Sequence, residues 1–461
     1  MLKYFPFLLL LLMAAKGNSQ VLTVKNAVQT ALTNYASIKA KASYLKASEA
    51  SVKQATLEYL PGLNVGAQQS YGTINGQFGP VFAIGGLNTA SAGPPFQKQN
   101  WNAAFGSLYL ANINWNFFSF GRVREHINLA RAELLRGTDD LEQEKFQHQV
   151  RVAGAYLNLL AAQRLRVSQQ RNLDRAKAFR DVVVARTQNG LNPGVDTSLA
   201  NAEFSNAKIA LTNAVDFEQE QTSRLAELMG ITTQEFSLDT VLINRIPGST
   251  HDSSAVAYES HPLLKYYQSR INVSNQQEKY YQRFKYPVFS LIGIIQSKGS
   301  GFHQNYNELS PDAITHDYWN GTKPTRGNYL LGVGVSWNLT DITRIDQQVA
   351  AQHWISSGLH NEYEQINQQI RTQVQLAEQK MNNAISNYNE APIQMKAATD
   401  AFHQRSVLFK NGLTDIVDVT QALYTLNRAE TNRDIAITNV WQALLLKAAA
   451  SGDFGLFINE F

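Results

Sequence analysis

The sequence contains no cysteine. That removes disulfide staples, cysteine metal sites, a cysteine nucleophile and an N-terminal lipid anchor. Charge is sparse too. Only 17% of the 461 residues are charged, and the formal balance is +4. Lysines and arginines are dispersed over helical faces, which argues against a nucleic-acid partner. Beyond residue 19 no run approaches about 18 consecutive apolar residues, so no transmembrane helix is expected. The nine histidines show no HExxH or comparable spacing. His148 and His360 read as polar-face residues of helices, and no metal site follows. No phosphate-binding glycine loop and no nucleophile elbow is present. The sequence therefore predicts no catalytic residue, no metal and no cofactor, and not an enzyme.

What is present begins with a leader. Lys3 precedes an apolar run from Phe5 to Ala15, and Gly17-Asn18-Ser19 supplies small residues of the kind a signal peptidase reads. Residues 1–19 read as a secretory signal peptide, too short to span a bilayer as a helix. Cleavage after Ser19 would leave Gln20 first.

The rest of the chain says nearly the same thing twice. Trp115 maps to Trp337, Asn189-Gly190-Leu191 to Asn411-Gly412-Leu413, Asp196 to Asp418 and Gly230 to Gly452, each at an offset of 222. Pro61 and Pro287 are 226 apart, so only a loop between proline and tryptophan has changed length. A period this long marks duplication of a whole supersecondary unit. The first repeat is placed at 20–245 and the second at 246–461.

Each repeat reads as helix, strand, loop, strand, very long helix, tight turn, helix. Residues 23–58 carry a helical pattern ended by Pro61-Gly62. Leu63, Val65 and Ala67 then alternate with polar or small residues, and 75–99 reads as a loop rich in Gly, Pro and Ser. In the next strand Tyr109, Ala111, Ile113, Trp115 and Phe117 share one face, and Asn112, Asn114 and Asn116 the other. In the second repeat Tyr329, Leu331, Val333, Val335, Trp337 and Leu339 oppose Gly332, Gly334, Ser336, Asn338 and Thr340. Half-buried strands of a soluble sandwich would show such alternation. Four strands separated by long helices, with an apolar face and terminal aromatics, fit a membrane barrel better. Four cannot close a barrel, which needs about eight or more. Several chains would have to share it.

From Gly121 to Asn189, and from Asp341 to Asn411, only Pro392 interrupts the helical pattern. Each run would be roughly 100 Å long. Phe146, Val150, Ala153, Leu157 and Leu160 step as a coiled-coil seam. Ile366, Ile370, Val374, Ala377, Met381, Ala384 and Tyr388 step slightly wider, which predicts a weaker supercoil. Such helices need partners of comparable length. The two shorter helices of a repeat, stacked end to end, would match one long one.

Leader, duplication, Trp-bearing strands and the Asn-Gly-Leu turn followed by Asp together resemble the outer-membrane efflux family, the TolC-like channels, over essentially the whole mature chain. The resemblance implies a membrane α+β fold: a homotrimer whose 12-stranded β-barrel, four strands per chain, continues into a 12-helix periplasmic α-barrel. It implies an equatorial belt near residues 231–262 and the C-terminus. It also implies a Gram-negative outer-membrane location, with Tyr109, Ile113, Trp115, Val333, Val335 and Trp337 facing lipid. The implied function is a passive exit duct of a tripartite efflux or type I secretion system, docked by a periplasmic adaptor (membrane fusion) protein and an inner-membrane pump.

The hairpin tips, Asn189-Gly190-Leu191 and Asn411-Gly412-Leu413, are the implied docking points. Their glycines would end helices in any model. In the family, a tyrosine and an arginine of the second tip contact an aspartate of the first and help to hold the pore shut. The aspartate position here is Asp196, but the tyrosine position is Phe409 and the arginine position Thr414, so that lock lacks its polar partners. Arg405 and Lys410 are candidate basic replacements. Of two acidic rings at the constriction, Asp418 preserves one and Gln421 replaces the other. Three Asp418 carboxylates around an axis would favour cations. Asp418 with Gln421 also reads as a capping box. Two other functions compete: a periplasmic coiled-coil scaffold without channel activity, and an envelope hydrolase, which has no positive sequence feature. The cargo is not legible.

Overall fold

A computed structural model describes residues 21–76, 93, 95–240, 245–248 and 258–461. The leader and most of the 75–99 loop lie outside the described residues. In chain order come α1 (Val24–Asn34), α2 (Ala36–Leu57), β1 (Gly62–Thr73), β2 (Ala103–Phe118), α3 (Arg122–Gln188), α4 (Gly194–Met229), α5 (Pro262–Gln282), β3 (Val288–Ser300), α6 (Tyr318–Thr322), β4 (Arg326–Ser336), α7 (Asp341–Lys410), α8 (Ile416–Ser451) and α9 (Gly455–Ile458). Among the described residues no helix is long and apolar enough to cross a membrane. Two compact units result. One comprises Glu49–Ala132 with Val273–Ser356, the other Met1–Ser48, Glu133–Asn272 and Ser357–Phe461. Each unit draws on both sequence repeats.

The first of these units holds a four-stranded antiparallel sheet in the order β1-β2-β3-β4. Directly paired residues of antiparallel strands share a face. Ile113 pairs with Leu63 and Gly293, Tyr109 with Ala67 and Ser297, and Trp115 with Leu291. Val333 also pairs with Leu291, and Val335 with Phe289. Five of the six residues expected to face lipid therefore lie on one face of one sheet, and Trp337 follows one residue past the end of β4. In the single chain Val333 is 67% exposed and Val335 59%. The opposite face carries Asn64, Gln68, Asn112, Asn114 and Asn328, but also Leu110, Ile294 and Leu330, so it is less polar than the sequence alternation suggests. At the end of the sheet away from α3, α6 folds over the Tyr109 face. The Tyr109 hydroxyl donates to the Thr322 carbonyl at 3.4 Å and accepts from Gln69 at 3.1 Å.

At the other end the duplication is visible atom by atom. The Trp115 indole donates to the Tyr59 carbonyl at 2.9 Å, and the Trp337 indole to the Lys285 carbonyl at 2.9 Å. The donors are 222 apart and the acceptors 226 apart, the two offsets present in the sequence. Each tryptophan thus pins the start of its repeat's first strand to the end of its second. Phe120 and Gly121 then take positive φ values of 49° and 83°, the reversal from β2 into α3.

The other unit is helical. α3 runs 67 residues and α7 runs 70, with Pro392 retained inside α7. The predicted seams are inward: Phe146, Ala153, Leu157 and Leu160 in α3, and Ile370, Ala377, Met381 and Ala384 in α7, are all buried. Around them pack Val24, Val28, Leu225, Met229, Trp441, Leu444 and Phe457. The segments expected to form a belt seal this core. The buried Tyr156 hydroxyl donates to the Leu22 carbonyl at 2.7 Å and accepts from the Asp239 N–H at 3.1 Å. Burial pushes its pKa up to about 12. The ring of the terminal residue, Phe461, lies 5.3 Å from Trp441.

The helix predicted over 23–58 is broken at Tyr35, whose backbone is extended at φ −65°, ψ 125°. The break lets the Tyr35 ring stack on His148 at 3.8 Å. Its counterpart at an offset of 226, His261, sets its ring edge-on to Phe146 at 5.5 Å and precedes α5. The glycines that cap α4 and α8 abut these two points. A Cβ on Gly230 would stand 3.2 Å from Asn34, and one on Gly452 only 2.7 Å from the His261 backbone. Both glycines have positive φ, 66° and 76°. Only glycine combines that conformation with such an approach. The shorter helices therefore meet end to end in both repeats.

Candidate functional site

The two hairpin tips are built alike. Gly190 has φ 72° and Gly412 φ 75°. The Gly190 N–H donates to Thr187 O at 3.0 Å and Leu191 N–H to Arg186 O at 2.9 Å; Gly412 N–H donates to Phe409 O at 3.0 Å and Leu413 N–H to Leu408 O at 2.9 Å. This is the Schellman arrangement, which uses up carbonyls left over at a helix end. Asn189 and Asn411 add side-chain bonds to the Ala185 and Val407 carbonyls, at 2.8 and 2.9 Å. With the polar groups turned inward, Leu191 and Leu413 project outward, 67% and 71% exposed.

Behind the second tip Phe409 is buried among Val183, Ala200, Ile416 and Val419, and its ring lies 5.5 Å from Phe179. A tyrosine hydroxyl would need a partner in that apolar site, so phenylalanine suits it. Arg186, from the last turn of α3, lies over the Phe409 ring at 5.3 Å. It donates to the Lys410 carbonyl at 2.8 Å and to Asn192 Oδ1 at 2.8 Å. Asn192 in turn donates to Asp196 at 2.7 Å. A relay Asp196–Asn192–Arg186 thus ties the first tip to the ring and backbone of the second.

Asp196 and Thr414 are not brought together; each bonds within its own hairpin. Thr414 donates to Asp418, and Arg405 pairs with the same carboxylate at 2.7 Å. Asp418 thus carries a counter-ion from its own hairpin. Gln421 is exposed. The capping box also differs. α8 starts at Ile416, and its cap is Asp415, which accepts from the Asp418 N–H at 3.0 Å. The helix begins there because Asp415 is the extended residue that can close the first turn.

Sequence reading missed Arg186 and Asn192. The available signal was a cation in the last turn of a helix directly before a glycine cap, where it meets free carbonyls. His148 is a second correction. It is fully buried, not on a polar face. Its Nε2 donates to the Leu228 carbonyl at 2.9 Å, which leaves Nδ1 unprotonated, buried and without a partner. Burial lowers its pKa below 6.5, and burial does the same to His261. The unfolded chain therefore takes up protons near pH 6.5 that the folded chain resists. Stability from both sites is full above that pH and falls as pH drops below it. Melting of the protein should shift down between about pH 7.5 and about pH 5. His148→Gln, which keeps a donor to Leu228 but cannot titrate, should reduce that shift and leave the share of His261. An unchanged slope would show that other groups carry it.

Residues 27–231 match the family model described as outer membrane efflux protein. That segment is similar to the outer membrane efflux proteins. That description places the proteins it matches in the outer membrane. The match falls within residues 20–245, and the landmarks at an offset of 222 relate the rest of the chain to that segment in sequence. No curated protein matches the sequence. Solved structures share the fold across nearly the whole chain. The outer-membrane channel OprN is 16% identical with a TM-score of 0.73, covering 94% of this chain and 90% of its own. VceC of Vibrio cholerae is 16% identical with a TM-score of 0.72, covering 93% and 96%. The MtrE channel of Neisseria gonorrhoeae is 15% identical with a TM-score of 0.71, covering 93% and 89%. The helical majority and the four-stranded sheet are common to this fold.

Proposed function

We propose that this protein is an outer-membrane efflux protein and that three copies of it form one export duct. Its strands close a 12-stranded outer-membrane barrel, and its helices close a periplasmic tube of 12. The observation that carries this reading is the sheet. It has one exposed apolar face, and among the described residues the outer edges of β1 and β4 are unpaired. An open edge in a bilayer leaves backbone groups unsatisfied at several kcal/mol each. Pairing β4 of one copy with β1 of the next removes every edge. A periplasmic scaffold would have no use for such a face.

The duct itself is passive. A periplasmic adaptor and an inner-membrane pump, of efflux or type I secretion type, would dock at the tips, where Leu191 and Leu413 stand out from tightly closed turns. Gly412→Trp tests this. The left-handed turn tolerates a side chain poorly, and the indole would block close approach of another hairpin. Export should be lost while trimers and outer-membrane level stay as in the parent. Intact export with the tryptophan in place would move docking away from the tips.

A further inference from the structure

We infer that the loop platform around Trp101 binds a neutral pyranose saccharide at the cell surface. The inference rests on the duct reading for one point only, that this end of the sheet faces outward. Trp101 immediately precedes β2 and is 79% exposed. It lines an open groove of about 550 Å³ together with Gln97, Lys98, Gln99, Glu308 and Asp312.

The platform beneath is rigid. Asn100 and Asn75 bond reciprocally: the Asn100 N–H donates to Asn75 Oδ1 at 2.9 Å, and Asn75 Nδ2 to the Asn100 carbonyl at 2.7 Å. Asn100 Nδ2 donates to the Tyr306 hydroxyl at 3.1 Å, and Asn102 Nδ2 to the Pro311 carbonyl at 3.0 Å. The Gln97 N–H donates to Glu308 at 3.1 Å. These bonds fix both strands of the groove before any ligand arrives, which lowers the ordering cost of binding.

Height separates this tryptophan from those that anchor a barrel in lipid. Trp115 marks the other end of β2. Ala103, the last residue of β2 paired with β1, stands roughly 30 Å above Trp115 at a tilt of about 40°. A lipid-facing band is about 25 Å tall, so Trp101 clears it. β2 is also an inner strand of the sheet, so pairing of copies through β1 and β4 leaves this loop uncovered. What surrounds it there is the saccharide layer of outer-leaflet glycolipids, and solvent.

The chemistry fits a sugar ring. A pyranose offers a face of C–H groups, slightly positive, to the negative face of an indole. Its rim of hydroxyls both donates and accepts, which suits the amides of Gln97 and Gln99 and the carboxylates of Glu308 and Asp312. Lys98 against two carboxylates leaves the groove slightly negative, which disfavours phosphorylated or acidic sugars. A single sugar contact of this size gives a dissociation constant on the order of 1 mM.

The test is saturation-transfer NMR on the full-length protein in detergent micelles. Two probes are used: maltopentaose, and the dephosphorylated core oligosaccharide of lipopolysaccharide. The pyranose C–H signals should saturate with the parent protein. Trp101→Ala should weaken binding about tenfold or more, and Trp101→Phe, which keeps a smaller ring, by less. Trimer level and conductance should be unchanged in both, since export does not use the loop. Signal from the core oligosaccharide alone makes the glycolipid headgroup the ligand; signal from maltopentaose as well makes it neutral glycans in general. No signal from either probe, or equal signal with Trp101→Ala, overturns the assignment. A failure of the duct reading would appear instead in the parent's own conductance.

Discussion

Val333→Arg should abolish stable assembly, whereas Gly334→Arg, one residue on, should spare it. Val333 pairs with Leu291 on the apolar face of the sheet, within β4 and four residues before Trp337. An arginine there costs about 2–4 kcal/mol in the lipid of one chain, and a trimer carries the cost three times. That total is comparable with the whole stability of many folded domains. Gly334 lies on the opposite face, and a Cβ there would meet only Ile292 Cδ1 at an ordinary 3.7 Å. Its guanidinium would reach toward the lumen and its water. Heat-modifiable trimers in detergent-extracted outer membranes give the readout. Equal damage from both substitutions, or trimers that persist with Val333→Arg, would mean that this face is not the lipid face.

On the proposed duct reading, Arg186→Ala should favour an open state. Among the described residues Arg186 joins the relay from Asp196 and Asn192 to Phe409 and the Lys410 carbonyl. One hydrogen bond and a ring contact across the tips, both near the surface, amount to about 1.4 kcal/mol per protomer, or roughly tenfold in the closed-to-open ratio. Its partners across the tips are a neutral ring and a backbone carbonyl, so closure should depend only weakly on salt. Asp196→Ala removes the far end of the relay and should have a smaller effect. Arg405→Ala breaks a pair lying within the second hairpin and should change ion preference more than closure. It would bare Asp418, so cation selectivity should rise. Single-channel recordings in planar bilayers separate these outcomes. If Arg186→Ala conducts like the parent while Asp196→Ala opens widely, the clamp runs through a different contact.

Much of this molecule is legible in one dimension. The 222-residue offset announces two copies, and the alternation about Trp115 and Trp337 marks strands with one lipid-compatible face. The seam at Phe146, Ala153, Leu157 and Leu160 marks which side of α3 is buried. Each of these is a periodic or local property. Hydrophobic period, turn chemistry and chain spacing are written residue by residue, so they survive without coordinates. Glycine caps belong to the same class, since Gly190 and Gly412 satisfy their own helix ends.

What only the tertiary structure decided depends on pairs far apart in sequence. Nothing local in Tyr35 says that the helix must break there; His148, more than a hundred residues on, supplies the ring that it stacks against. His148 is covered by Tyr35 at the end of α1 and bonded to Leu228 of α4, contacts that a single helix's pattern does not encode. Phe409 and Thr414 look like the loss of a lock when read one at a time. The fold shows the guanidinium coming from the opposite hairpin, where Arg186 meets a carbonyl 224 residues away. Hydrogen bonds and ion pairs act over a few ångströms, and which groups come that close is fixed by helix packing, after the sequence has fixed the helices.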